Sequence, residues 1–204
     1  MPAPLTLPTA MLSELEAAYA TPPRAYHHFG HVQDVLHHFA EVTIGPGWTQ
    51  PVEVYLAVLY HDAIYEASRR DNEARSAEFA MAEVSRWLPE AGIDAVRVAE
   101  LINLTARHGQ LSPDDFGQDG FSLDTRHFLD CDMAILGAAP EVFDSYDKGI
   151  AEEYKGQMPG FLFRLNRKRF LRSLLARERI YLSDWFHQRY DAQARDNLGR
   201  LLDH

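Results

Sequence analysis

A histidine and an aspartate stand side by side at the end of the most apolar stretch of the chain. His61 and Asp62 follow residues 55–60, which are all aliphatic or aromatic. Imidazole nitrogen and carboxylate oxygen both bind divalent transition metals, and burying either group without a partner costs free energy. His31 and Asp132 also interrupt apolar stretches. These four residues are therefore candidate metal ligands, although a His-Asp doublet taken alone is more often a hydrogen-bonded pair in a protein core.

Helices are the elements that must position these residues. Val32, Val35 and Phe39 recur at the spacing of one helix face beside His31, and Gly45-Pro46-Gly47 is expected to end that helix. The apolar periodicity predicts helices over residues 12–19, 26–42, 52–65, 74–88, 93–107 and 125–136, with two or three more between residues 141 and 202.

The pattern over the whole chain predicts an all-α protein. No alternation of apolar and polar residues has the length of a strand, and residues 109–120 have the composition of a surface loop. We expect a single domain over residues 24–204, with residues 1–23 as an N-terminal helical segment that packs on it. The sequence Thr21-Pro22-Pro23 marks the change between the two.

Composition and charge exclude several classes of protein. The chain has 204 residues, of which 46% are hydrophobic, and a net charge of -10, so disorder and a main role in binding duplex nucleic acid are both disfavoured. Its only cysteine, Cys131, cannot form an internal disulfide, which suits a reducing cytoplasm. No stretch approaches the roughly 18 uninterrupted apolar residues of a membrane span, and residues 1–20 lack the pattern of a targeting segment. We therefore expect a cytoplasmic protein that does not interact with membranes.

The order of the candidate ligands resembles that of the HD superfamily of metal-dependent phosphohydrolases. In that family a histidine, a His-Asp doublet and a distant aspartate, all on helices, bind the metal; His31, His61, Asp62 and Asp132 follow the same order. Four segments are similar to a bacterial subgroup described only as predicted phosphohydrolases: residues 24–27, 60–62, 71–73 and 129–137. The resemblance covers about residues 24 to 200 and implies an HD-type helical bundle with one metal ion.

Asp130 competes with Asp132 for the place of the distal ligand. The two side chains lie about 200° apart around a helix, so they cannot both face one ion. The resemblance favours Asp132, because the family's ligand directly precedes the position that Met133 occupies here. Asp130 is then expected either to support the site or to lie at the surface.

The resemblance also implies hydrolysis of a phosphoric ester or anhydride. One divalent ion (Mn, Fe, Co, Ni or Zn, or else Mg) would polarise a phosphoryl oxygen and lower the pKa of a bound water molecule, which attacks phosphorus. A mixed set of nitrogen and oxygen ligands suits transition metals better than calcium. The implied substrate is a small phosphorylated metabolite, with a nucleotide as the first candidate.

Proton transfer from that water molecule needs a neighbouring acidic residue. Glu66 stands four residues after Asp62 and would be one turn away if the helix continued. Asp71 and Glu73 are the alternatives. These two residues also suit the capping and the first turn of the next helix.

A phosphorylated substrate also needs cations and hydrogen-bond donors around it. Arginine can bind two phosphate oxygens at once, and lysine offers a point charge. The candidates, each of which also suits an ordinary surface charge, are Arg24, Lys148, Lys155 and Arg167. His27, one turn before His31, and His108 are further candidates for contact with substrate. His108 is alternatively the ligand of a second metal, or a histidine that stabilises a helix C-terminus.

Two other functions stay open from the sequence. A di-iron oxidase on the same scaffold would use His27, His108 or Glu66 as extra ligands. A catalytically silent domain would bind metal or nucleotide without turnover. The chain has no glycine-rich phosphate loop and no serine nucleophile elbow, so ATP-driven chemistry and a covalent serine intermediate have no support.

Overall fold

The structure, a computed structural model, describes residues 3–21 and 24–203. All regular elements in these two ranges are helical, and the predicted all-α class is confirmed. The helices are α1 (Thr9–Tyr19), α2 (Phe29–Ile44), α3 (Pro51–Tyr60), α4 (Asn72–Trp87), α5 (Ala95–Thr105), α6 (Gly120–Met133), α7 (Pro140–Glu153), α8 (Gly160–Leu175) and α9 (Asp184–Leu202), with short 3₁₀ helices at Pro113–Asp115 and Ala134–Gly137. None of the described helices combines the length and the apolar character needed to cross a membrane. The chain forms two compact units, Met1–Arg107 and His108–His204.

The first unit comprises α1 to α5 and is built around α3. Pro51 occupies the first position of this helix, where proline loses no hydrogen bond. All residues from Leu56 to Tyr60 are buried, as expected for a helix with neighbours on every side. Helices α2, α4 and α5 each pack against α3. In α1, the buried residues Met11, Leu15 and Tyr19 recur at the spacing of one helix face.

Helix α3 ends at Tyr60, earlier than the apolar composition predicts. Two side chains of α4 bind the backbone of the segment that follows. The Ser76 hydroxyl accepts a hydrogen bond from the amide of Ile64 and lies 3.2 Å from its carbonyl oxygen, and the Asn72 side chain pairs in the same way with the backbone of Glu66. These contacts satisfy backbone groups that a longer helix would pair internally, so the helix can end at Tyr60. The predicted continuation of α3 to Tyr65 is wrong.

The second unit comprises α6 to α9. Helix α6 begins at Gly120, before the predicted start at Thr125, because the Asp119 carboxylate accepts a hydrogen bond from an amide of the first turn. The 3₁₀ helix that follows α6 packs on α9. At Gly137 a side chain would clash, since a Cβ atom there would lie 2.8 Å from atoms of Tyr190. A glycine is therefore required at this close approach.

The other elements lie near their predicted positions. The stretch between residues 141 and 202 forms three helices, separated by residues 154–159 and 176–183. Residues 109–120 are mostly irregular, as predicted. The boundary expected between residues 23 and 24 adjoins Pro22 and Pro23, which are outside the described residues, so it stays a prediction.

Candidate metal centre

Two helix ends bring three of the candidate ligands together in the first unit. His31 lies in the first turn of α2, which begins at Phe29 with the side chain of His28 as its N-cap. His61 is the C-cap residue of α3, and Asp62 follows in a turn. Since the path of the chain changes where a helix ends, side chains at two such ends can converge on one point.

The donor atoms of His31, His61 and Asp62 lie within 3.6 Å of one another. His31 Nε2 and His61 Nε2 are 3.1 Å apart. Asp62 Oδ2 lies 3.1 Å from His61 Nε2 and 3.6 Å from His31 Nε2. The two histidines are 3% and 1% exposed and the aspartate side chain is 15% exposed. The cluster is therefore buried, and the carboxylate is its most accessible member.

A backbone contact decides which nitrogen of His61 faces the cluster. His61 Nδ1 lies 2.9 Å from the carbonyl oxygen of Val58. Because a carbonyl only accepts hydrogen bonds, Nδ1 carries the proton of the neutral ring. Nε2 then presents a lone pair towards His31 and Asp62. Metal-binding histidines have this arrangement, with the second ring nitrogen donating to a carbonyl or carboxylate.

The spacing of the three donor atoms fits a transition-metal ion. Bonds of about 2.1 Å at angles of roughly 90° to 110° place neighbouring ligand atoms about 3.0 to 3.4 Å apart. Two of the three observed separations fall in this interval, and the third, 3.6 Å, is close to it. Lone pairs that face one another in a buried site are costly unless a cation or a proton lies between them. His31, His61 and Asp62 can therefore hold a metal ion.

Arg24, a predicted phosphate ligand, binds the backbone next to this cluster. Its Nη1 donates to the carbonyl oxygens of His27 and Asp62 at 2.9 and 2.8 Å, and its Nη2 donates to that of Ala63 at 2.9 Å. The guanidinium also lies 5.1 Å from the ring centroid of Tyr19, within range of a cation–π contact. Arg24 thus joins the segment before α2 to the turn after α3, and its contact with substrate stays a prediction.

His27 lies beside the cluster. Its ring stacks on that of Tyr65 with centroids 4.1 Å apart and meets the ring of His31 edge-on at 5.9 Å. Tyr26 also packs against His31, at 4.7 Å between ring centroids. His27 precedes the first residue of α2, and its ring lies beside that of His31. Its role in substrate binding stays a prediction.

The tyrosines around the cluster were missed by the sequence reasoning. The Tyr19 hydroxyl donates to the carbonyl oxygen of Leu59 at 3.0 Å and accepts from the amide of Asp62 at 3.3 Å. Tyr19 precedes Asp62 by 43 residues, so no local pattern links the two. Tyr26 and Tyr65 stand next to candidate residues in the chain, but tyrosine carries no metal-site signal by itself.

Glu66 would lie one helical turn after Asp62 only if α3 continued, and α3 ends at Tyr60. Its side chain is 58% exposed, and one carboxylate oxygen lies 3.1 Å from Nη1 of Arg75. An exposed ion pair of this kind leaves a carboxylate free to exchange partners at little cost. Its role in proton transfer stays a prediction.

Asp71 and Glu73 lie at the start of α4. Asp71 occupies the N-cap position, yet among the described residues its side chain makes no capping hydrogen bond. Both carboxylate oxygens instead accept from Arg69, at 2.7 and 2.6 Å, and these bonds lower the pKa of the Asp71 carboxyl. Glu73 lies in the first turn of α4, where a negative charge suits the helix dipole. Their catalytic roles stay predictions.

His108 and Asp132 form a close pair in the second unit. His108 Nε2 lies 2.7 Å from Asp132 Oδ2, and the side chains are 18% and 14% exposed. Asp132 belongs to the last turn of α6. His108 lies in the turn that follows the C-cap of α5, and its alternative role at that helix C-terminus stays a prediction. The roles of Asp132 as fourth ligand and of His108 in substrate or second-metal binding stay predictions.

Asp130 has a structural role in the second unit. Its carboxylate accepts hydrogen bonds from the amides of Leu182 and Ser183, both at 2.7 Å, and from the Ser183 hydroxyl at 2.6 Å. Burial raises the pKa of Asp130 to about 7, and these hydrogen bonds act in the opposite direction. The residue is 2% exposed, so the alternative of a surface carboxylate is wrong. Asp130 anchors the segment that leads into α9.

The remaining predicted phosphate ligands lie on or near α7 and α8. Lys148 is exposed, and Lys155 is exposed with its ammonium 3.1 Å from Glu152. Arg167 differs from both because its side chain is only 12% exposed and its Nε donates to Asp147 at 2.9 Å. Their contact with substrate stays a prediction.

Comparison with known proteins identifies no relative. No protein-family model, curated protein or solved structure matches the chain. The resemblance to the HD superfamily therefore rests on the residues and segments named above.

Proposed function

We propose that this chain is a metal-dependent phosphohydrolase that acts on a small phosphorylated metabolite, with a nucleotide as the first candidate. The observation that supports it is the convergence of His31 Nε2, His61 Nε2 and Asp62 Oδ2 at the spacing of ligands around one ion. Two imidazoles and a carboxylate suit the divalent ions from Mn to Zn. Asp132 remains the predicted fourth ligand.

The ion, when bound, would polarise a phosphoryl oxygen and lower the pKa of a water molecule. The residues of the chain position the ligands. The Val58 carbonyl fixes the ring orientation of His61, and Arg24 holds the carbonyl oxygens of His27 and Asp62. A supporting shell of this kind keeps ligands in the productive geometry. We assign His27 the role of a hydrogen-bond donor to the substrate.

We place this activity in the cytoplasm. The single cysteine, Cys131, is free and buried, as suits a protein of a reducing compartment. The net charge of -10 disfavours a duplex nucleic acid as partner. A small anionic substrate needs only a local group of cations.

Elemental analysis of the freshly purified chain, combined with a hydrolysis screen, tests the proposal. We expect about one transition-metal ion per chain, and release of phosphate from at least one member of a panel of nucleotides and phosphomonoesters. A chelator should abolish this release and added Mn, Fe, Co, Ni, Zn or Mg should restore it. A His31→Ala variant should lose both metal and activity, whereas His37→Ala, which changes a 72% exposed histidine of the same helix, should keep them.

The screen separates the alternatives. Two iron atoms per chain with oxygen-dependent turnover would replace the proposal by a di-iron oxidase. Metal binding without phosphate release from any substrate would point to a silent binding domain. Failure of both the purified and the metal-reloaded chain to hold an ion would overturn the metal centre itself.

A further inference from the structure

The second unit contains a cavity between α7, the turn that follows it and α8. Its volume is about 280 Å³, close to the lower end of small-molecule sites, which start at about 300 Å³. The residues that line it include three aromatic rings, one thioether and two polar side chains: Tyr154, Phe163, Phe170, Met158, Asn166 and Arg167. This mixture of apolar walls with few polar groups is typical of ligand pockets.

One face of α8 forms a wall of this cavity. Phe163, Arg167 and Phe170 are separated by four and three residues, so they lie on the same side of the helix. The ring of Tyr154 lies 5.3 Å from that of Phe163 at an interplanar angle of 34°. Aromatic rings such as these can pack with a further ring in an offset-stacked or edge-to-face arrangement.

Arg167 places a positive charge in the same wall. Its guanidinium lies 5.0 Å from the ring centroid of Tyr146 and 5.8 Å from that of Phe170, and Nε donates to Asp147. Nη2 is buried, and no hydrogen bond to it is found among the described residues. An arginine carries five N–H donors, so the hydrogen bonds of Arg167 to Asp147 and Tyr146 leave the donors of Nη2 for an anionic ligand.

The positive charge beside the cavity comes from α8, which carries five basic residues and no acidic residue. Helix α7 carries five acidic residues and one lysine, so an anion is favoured on the α8 side of the cavity. Since Arg167 is already held by an ion pair and by stacked rings, a ligand would not have to order it on binding, which reduces the entropy cost. The lining therefore combines flat apolar surface with one preorganised cation.

We propose that this cavity binds a small planar aromatic anion, with its ring against Tyr154 and Phe163 and its anionic group on Arg167. The side-chain amide of Asn166 offers a further hydrogen bond. The site lies wholly within the second unit, and the proposal does not rest on the phosphohydrolase function. A protein without metal-dependent activity would still have this site.

Isothermal titration calorimetry of the full chain with two matched probes tests the proposal. The probes are 2-naphthoate, a planar anion, and 2-naphthamide, its uncharged counterpart. We expect saturable binding of one 2-naphthoate per chain and clearly weaker binding of 2-naphthamide. Absence of saturable 2-naphthoate binding, or equal binding of both probes, would overturn the proposal.

Two variants locate the binding. Arg167→Met should weaken 2-naphthoate binding by about ten- to hundredfold, the usual value of a charged hydrogen bond, with little change for 2-naphthamide. Arg169→Met removes an exposed charge from the same helix and serves as the control, which should change binding by less than about threefold. Equal losses in the two variants would show that only the general charge of α8 matters, and would contradict the proposal.

A third variant leaves the ion pair between Arg167 and Asp147 intact. Asn166 is exposed, so Asn166→Asp places a negative charge in the lining with little risk to folding, which a thermal melt checks. We expect it to weaken 2-naphthoate binding at least about tenfold while 2-naphthamide binding persists. Unchanged 2-naphthoate binding in this variant would place the ligand elsewhere.

Discussion

The two histidine–carboxylate groupings of this protein satisfy their polar atoms in different ways. In the first unit, donor atoms of His31, His61 and Asp62 face one another at 3.1 to 3.6 Å. In the second unit, His108 Nε2 lies 2.7 Å from Asp132 Oδ2. One proton completes a His–Asp pair, whereas three converging donor atoms need a proton or a cation among them. This convergence is what makes the first grouping a candidate metal centre.

Removing a converging donor should have the largest effect. His61→Ala or Asp62→Ala leaves two of the three converging donors, and we expect metal affinity to fall more than about 100-fold, since residues that only support a ligand already contribute about 10- to 100-fold. Hydrolysis should fall to background with it. Elemental analysis and phosphate release measure both effects. Full metal content in both variants would refute the assignment of the cluster.

Substitutions of Asp130 and Asp132, which are two residues apart, should affect different properties: stability for Asp130 and metal binding for Asp132. Asp130→Ala leaves two amides and a hydroxyl without their acceptor, and we expect the free energy of unfolding to fall by about 3 kcal/mol or more. If Asp132 is the fourth ligand, Asp132→Asn should lower metal content with a much smaller change in stability. Urea denaturation compares the two. A variant of Asp130 as stable as the original chain would contradict the anchoring role.

His127 is a buried histidine outside both groupings, and its lowered pKa should make stability depend on pH. Burial, with a smaller contribution from the charge of Arg126, lowers the pKa of His127 from 6.5 to about 4. The His127 ring then binds a proton more tightly in the unfolded chain than in the folded chain. The free energy of unfolding therefore has its full value above pH 6.5 and falls as the pH decreases towards 4. The effect amounts to about 3 kcal/mol at most.

Denaturation of the original chain and of His127→Gln at several pH values isolates this effect. As the pH is lowered, the free energy of unfolding of the original chain should fall by up to about 3 kcal/mol relative to that of His127→Gln. Other titrating groups, such as Asp130, are common to both chains and cancel in the difference. A pH-independent difference would show that His127 keeps an ordinary pKa.

The pair in the second unit should have a smaller effect on metal binding. If Asp132 is the fourth ligand, His108→Ala removes the partner that orients it and weakens metal binding by about 10- to 100-fold. His108→Gln should recover part of this loss, because its amide can donate to the carboxylate. Competition with a chelator measures the affinities. Unchanged affinity in His108→Ala would separate the pair from the metal centre.

Arg24 should contribute the smallest of these effects, by supporting the first grouping from outside. Arg24→Lys keeps the charge but loses the fork that reaches three carbonyl oxygens, and we expect a stability loss of about 1 to 2 kcal/mol. Arg70→Lys, an exposed position in the same unit, should change stability by less than about 0.5 kcal/mol. Equal effects in a thermal melt would show that the carbonyl contacts of Arg24 contribute nothing specific.

Most helices could be predicted because their signal is local. The apolar spacing around His31 and the proline at position 51 each act within one or two turns. The sequence singled out His31, His61 and Asp62 because each interrupts or ends an apolar stretch, and the resemblance to the HD superfamily implied that they bind one ion. The structure brings the three together, and their binding of a metal stays a prediction. The earlier end of α3 was not predictable, since side chains of the next helix produce it.

The amino-acid sequence by itself determined the all-α class and the candidate ligands, because periodicity and residue type are properties of neighbouring positions. Only the tertiary structure decided which atoms meet: that His61 turns Nε2 to the cluster, that Asp130 anchors Leu182 and Ser183, and that Arg24 binds three backbone carbonyls. Such contacts join residues far apart in the chain. They depend on how helices pack and where they end, which no local pattern encodes.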